Sequence, residues 1–320
     1  MTERPSADAP SRADEFEEHR ARLLVIAYRI LGSVADAEDV VQETWLRWEA
    51  SATTRPRSTR AFLATITTRL AVDVLRSARA RRETYPGPWF PEPLVSDPYT
   101  DPERSAELAD SVSMAALLLL ERLSPLERAV FVLREVFGYP YAEVAATVER
   151  SEDACRQLCA RARAHMAQER PRFAVDRAEA DGLTATFIAA LRAGDVDRLR
   201  EVLAADAVLV ADAGGKAPLF GDGVFVGDRL IRLLVGMAPD ALAAGVTLTP
   251  ERINGGPGAI LHSADGHVLG TWALDVIDGR VQTIRAVLNP DKLGHLGPLA
   301  DPWQTLQDTK DARAAARRQG

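Results

Sequence analysis

A chain of 320 residues, 47% of them hydrophobic, is long enough to bury a sizeable core and exceeds the usual span of one domain. Its formal net charge of −7 argues against a generic binder of polyanions. No apolar run approaches the roughly eighteen residues of a membrane span, and "MTERPSADAPSRADEFEEHR" is charged and lacks a signal-peptide core, so the expected location is the cytoplasm, with no membrane partner.

Helical periodicity dominates the first half. A helix over Glu15–Leu31 stops at Gly32, and Ser33 with Asp36 opens the next, which runs through Glu49. After the loop "ASATTRPRS", Ser58 caps a long helix over Thr59–Arg82, with Phe62, Ile66, Leu70 and Val74 on its buried side and arginines, among them Arg60, Arg76 and Arg79, on the other. Residues 86–94, "PGPWFPEPL", cannot form a helix or a central strand, because proline lacks the N–H both need. Trp89, Phe90 and Leu94 are surplus to tethering. Either they staple the segment to the helices before it or, as we prefer, they dock on a C-terminal domain, since a proline-stiffened peptide loses little entropy on binding.

Farther on, Ser124, Pro125 and Glu127 form a capping box with proline at the first helical position, and Gly138 ends that helix. A short helix over Tyr141–Val148 follows, then Ser151 caps one reaching Gln168, the spacing of a helix-turn-helix. Glu152, Asp153, Arg156 and Gln157 fall where side chains reach base edges, and Arg161 and Arg163 where phosphate contact is expected. The alternative is a plain helical hairpin with exposed charges. Cys155 and Cys159, four apart, share a helix face and cannot build a disulfide framework. With His165 they lack the second cysteine pair of a zinc site, so no metal and no cofactor are expected.

Charge follows these blocks. Residues 14–49 hold nine acids against four arginines, residues 55–83 hold eight arginines against Asp73 and Glu83, and residues 150–172 hold six arginines against three acids. Two separate basic blocks point to two nucleic-acid contacts rather than to solvated helix faces.

"AEDVVQETWLRW" at 37–48, "RAFLATITTRLAVDVLRSARARR" at 60–82 and "SPLERAVFVLREVFGYPYAEVAATVERSEDACRQLCARAR" at 124–163 together resemble regions two and four of extracytoplasmic-function sigma factors. The resemblance implies a region 2 bundle over 14–84, a linker over 85–109 and a region 4 helix-turn-helix over 110–173. It implies binding to RNA polymerase core, with Asp39, Gln42 and Glu43 docking on the β′ clamp and region 4 at the β flap. The loop residues Thr53, Thr54 and Arg55, with the helix after them, would read and melt the minus-ten element of promoter DNA. The recognition helix would read minus-thirty-five.

The C-terminal part reads as two helices, a strand at 207–212, a glycine-rich loop, a helix from Asp228, and strands at 246–251, 258–263, 268–277 and 280–287, with Asp265-Gly266 and Asp278-Gly279 as hairpin turns. Helices followed by a curved antiparallel sheet give an α+β cone over 177–297, with 298–320 as a tail whose end, "KDARAAARRQG", is expected to be frayed and basic. This resembles the SnoaL-like branch of the nuclear-transport-factor fold, fused as in one sigma-factor group, from whose linker motif this chain departs in having Phe90 for leucine. The fold class expected is therefore multidomain, two all-α sigma modules followed by an α+β SnoaL-like cone. That group's motifs stand as "WFPEPL" (Trp89, Phe90, Pro91, Glu92, Pro93, Leu94), "DAGGK" (Asp212, Ala213, Gly214, Gly215, Lys216) and "NPDKL" (Asn289, Pro290, Asp291, Lys292, Leu293). Ala213, where the group has glycine, puts in doubt any unusual backbone there.

Lysine occurs three times against thirty-six arginines, and two of the three are Lys216 and Lys292. A flexible ammonium gathers carbonyls from directions a planar guanidinium cannot, so both are expected to anchor a surface facing the linker, beside Asp212 and Asp291. An enzyme reading would draw on Asp212, Asp275, His262 and His267, but none of the five tyrosines lies in this domain, and no catalytic residue is assigned. A small-molecule ligand in the cone, a ligand-sensing helix-turn-helix regulator, and a cyclase or isomerase domain fused to a DNA-binding module are the competing readings.

Overall fold

The computed structural model describes residues 11–51, 56–82, 84–95, 113–168, 177–218 and 223–319. They fold into two compact units, whose boundaries cross the chain after Ala80, after Leu119 and after Ala167.

The first unit is helical: α1 (Arg12–Leu31), α2 (Val34–Ala50), most of α3 (Thr59–Arg82), the end of α4 (Met114–Glu121), α5 (Pro125–Phe131), α6 (Tyr141–Val148) and α7 (Glu152–Gln168). Local chemistry sets the boundaries. Ser11 and Asp14 form a capping box on α1, Gly32 closes it at φ 71°, and Ser33, Ser58, Ser124 and Ser151 each accept from a backbone N–H three residues on. Beyond α5 the ladder widens into a π-helical turn at Val132–Val136, and Gly138 then turns the chain at φ 69°.

The buried stripe of α3 differs from the expected one. Phe62, Ile66, Leu70 and Val74 are only half-buried, whereas Leu63, Thr67, Ala71, Leu75 and Ala78 are buried. A threonine and two alanines hid the true face: Thr67 is satisfied in the core by the hydroxyl of Thr44 at 3.1 Å.

The second unit holds the linker residues Thr84–Val95, the start of α4, and then α8 (Arg177–Ala193), α9 (Val196–Val202), β1 (Leu203–Asp212), β2 (Val224–Val226), α10 (Asp228–Ala243), β3 (Thr247–Ile253), β4 (Gly256–His262), β5 (Val268–Ile277), β6 (Arg280–Val287) and α11 (Pro302–Gln319). Its six-stranded sheet runs β2-β1-β6-β5-β4-β3. The expectation of a wholly antiparallel sheet is corrected at one place, because β1 pairs parallel with β6. The long run from Asp212 to Arg280 supplies the crossover a parallel pair needs, and alternation within a strand carries no information about its neighbour's direction. Asp278-Gly279 has φ of 50° and 70°, the two positive values of a primed hairpin turn. Asn254-Gly255, at 54° and 71°, makes a second such turn that the sequence reading passed over.

Residues expected as a frayed tail form α11 instead. The Asp301 carboxylate accepts from the Trp303 and Gln304 amides at 2.8 and 3.2 Å, Pro302 occupies the first turn, and Arg313 pairs with Asp240 of α10 at 3.4 Å. Among the described residues, no helix is long and apolar enough to cross a membrane.

Candidate functional sites

Three sequence-distant segments converge on one carboxylate. Asp212 ends β1 with no exposed surface. Its Oδ1 accepts from the Tyr85 hydroxyl at 2.5 Å, and its Oδ2 accepts from the Phe90 amide at 2.8 Å and from Lys292 Nζ at 2.7 Å. Lys292, 7% exposed, also donates to the Phe90 carbonyl at 2.5 Å and lies 4.2 Å from the Trp89 ring centroid and 4.7 Å from that of Tyr85. The buried ammonium thus meets a carboxylate, a carbonyl and two ring faces, a set that offsets its desolvation. Burial, and then the hydrogen bond to Asp212, push the Tyr85 phenol upward, so it remains a donor.

The motif around Lys292 is built to aim it. Asn289 caps a short 3-10 turn, accepting from the Asp291 amide at 3.1 Å, and its own N–H donates to the Asp212 carbonyl at 3.0 Å. Asn289 Nδ2 donates to the Tyr85 hydroxyl at 2.8 Å. Gly214 and Gly215 hold φ of 55° and 71°, while Ala213 is not among the positive-φ residues, so the lost glycine is not one the turn required. A Cβ on Gly214 would stand 2.3 Å from Asn289 Nδ2 and 2.6 Å from the Tyr85 oxygen. The linker docks further along its length. Asn254 N–H donates to the Leu94 carbonyl at 2.6 Å, His295 Nε2 meets the Pro93 carbonyl at 2.6 Å, Pro91, Glu92 and Pro93 are buried, and Phe90 shares a core with Met114, Ile253, Val287 and Leu293. Lys216 is different: exposed, it pairs with exposed Asp291 at 2.5 Å. The two lysines therefore cross over, each binding the other motif's aspartate.

In the helical unit, Asp39 and Gln42 are exposed on α2, and Glu43 is half-buried and bonded to Arg47 at 2.8 Å. Leu46, 56% exposed, continues their face at helical spacing. Arg60 lies 5.2 Å from the Tyr139 ring centroid and Arg76 pairs with Asp73 at 3.2 Å. Thr53, Thr54 and Arg55 lie outside the described residues, as does the side chain of Arg79. On α7, Glu152, Asp153, Arg156 and Gln157 are exposed, and Arg156 pairs with Glu152 and Asp153 at 3.0 and 3.4 Å. Arg161 and Arg163 instead reach Glu127 and Glu135, at 2.9 and 2.6 Å. Arg163 chiefly holds the Glu135 carboxyl below its usual range; at Glu127 burial acts upward, but bonds from Arg161 and Ser124 outweigh it. Cys155 and Cys159 are buried on the inner face, where burial pushes both thiols up.

Sequence comparison assigns both regions. Residues 16–81 match Sigma-70 region 2 and residues 113–166 match Sigma-70 region 4. The chain is 39% identical over 287 residues to the ECF RNA polymerase sigma factor SigJ of Mycobacterium tuberculosis, spanning 87% of this chain and 92% of that one. It belongs to the extracytoplasmic-function sigma factors. The probable ECF sigma factor SigI of the same organism is 33% identical over 280 residues, spanning 87% of this chain and 93% of its own. The crystal structure of SigJ superposes with a TM-score of 0.69 at 35% identity, covering 90% of this sigma factor and all of that chain. Two α-helical sigma modules followed by a C-terminal α+β domain of the SnoaL-like cone type is thus the architecture of this chain.

The sequence reading missed four contributors to the sigma factor's C-terminal unit. Tyr85, Asn254 and His295 lie outside the motifs, and Trp303 donates to the Lys216 carbonyl at 3.2 Å. Tyr85, dismissed because it precedes the domain, supplies the tyrosine the cone's own sequence lacks. Of the acid and base candidates, Asp212 is engaged by Tyr85 and Phe90 of the linker and by Lys292, Asp275 pairs with Arg285, and His267 lies 2.9 Å from Asp265. Among the described residues, no three His, Cys, Asp or Glu side chains are grouped to hold a metal.

Proposed function

We propose that this sigma factor directs promoter-specific initiation in the cytoplasm, and that its C-terminal domain acts in cis on the sigma modules by holding the linker. The single observation that carries the regulatory part is the burial of the Asp212–Lys292 pair around Phe90 and Tyr85. A segment needed only as a tether has no use for a desolvated ion pair. Sigma-family membership itself implies binding to RNA polymerase and DNA. At finer grain, Asp39, Gln42 and Glu43, with Leu46 beside them, are the face offered to the β′ clamp, and region 4 meets the β flap. Thr53, Thr54, Arg55, Arg60, Arg76 and Arg79 serve the minus-ten element, and Glu152, Asp153, Arg156 and Gln157 the minus-thirty-five element. Arg161 and Arg163 are assigned to phosphates secondarily, because each also ties α7 to another helix. Run-off transcription from a genomic promoter library with purified core polymerase tests the reading: the full chain should yield discrete transcripts, and none on any template would refute it.

A further inference from the structure

The α+β unit contains a feature that the Asp212–Lys292 pair and the docked linker do not use, a cavity of about 350 Å³ between the sheet, α10 and α11. That volume falls in the range of small-molecule sites. Leu209, Leu248 and Trp272 line it from the sheet, and Leu306 from α11. Two observations say that the space is meant for an occupant. Gly236 lines it from within α10, where alanine would make the more stable helix, and a Cβ there would meet nothing within 4 Å. The charged groups at its edge are also mainly cationic: Arg192, Lys310 and Arg313 against Asp240 among the described lining residues. Arg313 neutralises Asp240 at 3.4 Å, Arg192 donates to the Leu248 carbonyl at 2.5 Å, and exposed Lys310 has no ion pair with any described residue.

We infer that this cavity binds a small apolar molecule carrying one anionic group. The body packs against Leu209, Leu248 and Trp272, with Gly236 leaving it room, and the anion sits at Lys310 and Arg192. Helix α11 closes one wall and reaches the linker-holding lysine by a short route: Trp303 donates to the Lys216 carbonyl, and Lys216 pairs with Asp291, the neighbour of Lys292. Binding can be measured whether or not the domain regulates transcription, so failure of one claim leaves the other distinguishable.

The test is displacement of 1-anilinonaphthalene-8-sulfonate from the full chain by dodecanoate, dodecanol and dodecylamine. Dodecanoate should displace it saturably at one site per chain, with dodecylamine at least tenfold weaker. Gly236→Leu should weaken dodecanoate at least tenfold. Lys310→Glu, at an exposed position, should weaken dodecanoate at least threefold and leave dodecanol unchanged. Absence of saturable binding, equal affinity for the amine, or wild-type binding by a folded Gly236→Leu chain overturns the inference. Should Gly236→Leu fail to fold, the dodecanoate-to-dodecanol ratio in Lys310→Glu decides alone: an unchanged ratio overturns it.

Discussion

Replacing Lys292 by methionine leaves the stem and removes the charge, stranding Asp212 in a site with no exposed surface. Breaking a buried pair from one side costs about 3–5 kcal/mol, and the lower end applies here because the Phe90 amide and Tyr85 hydroxyl still donate to the carboxylate. About 3 kcal/mol corresponds to roughly a 150-fold shift of linker docking toward the open form. Hydrogen exchange reads this directly. Within 86–94 the four prolines carry no amide, and the Phe90 and Leu94 N–H groups donate to Asp212 and to Asn254 Oδ1 at 2.8 and 3.3 Å. The Phe90 amide of Lys292→Met should exchange on the order of 100-fold faster than in the native chain, given that shift in the docking equilibrium. If the domain melts as a unit with its linker, its midpoint should fall by about 6–12 °C. A Phe90 exchange rate within about twofold of wild type, in a chain that remains folded, would refute the reasoning that the pair holds the linker.

Lys216→Met is the contrasting case: both partners of its pair are more than half exposed, so the loss should stay below about 1 kcal/mol, with Phe90 exchange nearly unchanged. Gly214→Ala places a side chain at φ 55° and against Asn289 and Tyr85; backbone strain alone costs roughly 1–2 kcal/mol, and a thermal melt should show at least that loss. Acid should weaken the helix-turn-helix. Glu127 and Glu135 have folded values below their ordinary 4.5, so their contribution is present above 4.5 and is lost as pH falls through the lowered values. Circular dichroism of Arg163→Gln should show a shallower acid dependence than wild type. Arg69 of α3 donates to the carbonyls of Ala146 and Thr147 at the end of α6, at 2.8 and 2.9 Å; Arg69→Ala should speed exchange of the α6 amides without altering the linker.

What could be read before the structure was what the chain writes locally. Serine caps, glycine stops and the Asp-Gly turn are decided within four residues, so helix starts and the β5–β6 hairpin were legible. Resemblance supplied the three motifs, but not how they meet. The lysines were expected beside Asp212 and Asp291, but not which aspartate each would meet: Lys292 crosses to Asp212 and Lys216 to Asp291, and Tyr85 reaches Asp212 from 127 residues away. No local periodicity encodes such closure. The parallel β1–β6 pairing was hidden for the same reason, and the α3 stripe because buried threonines resemble surface residues until Thr44 is seen opposite Thr67.

If the hold that the C-terminal domain keeps on the linker governs this sigma factor's output, releasing the linker must change transcription. Run-off transcription with core polymerase, comparing the full chain with Lys292→Met on the same promoter, measures that change. The native chain should initiate discretely, and the variant should give a changed transcript yield. Identical yields from both, with linker opening verified in the variant by Phe90 exchange, would contradict that control.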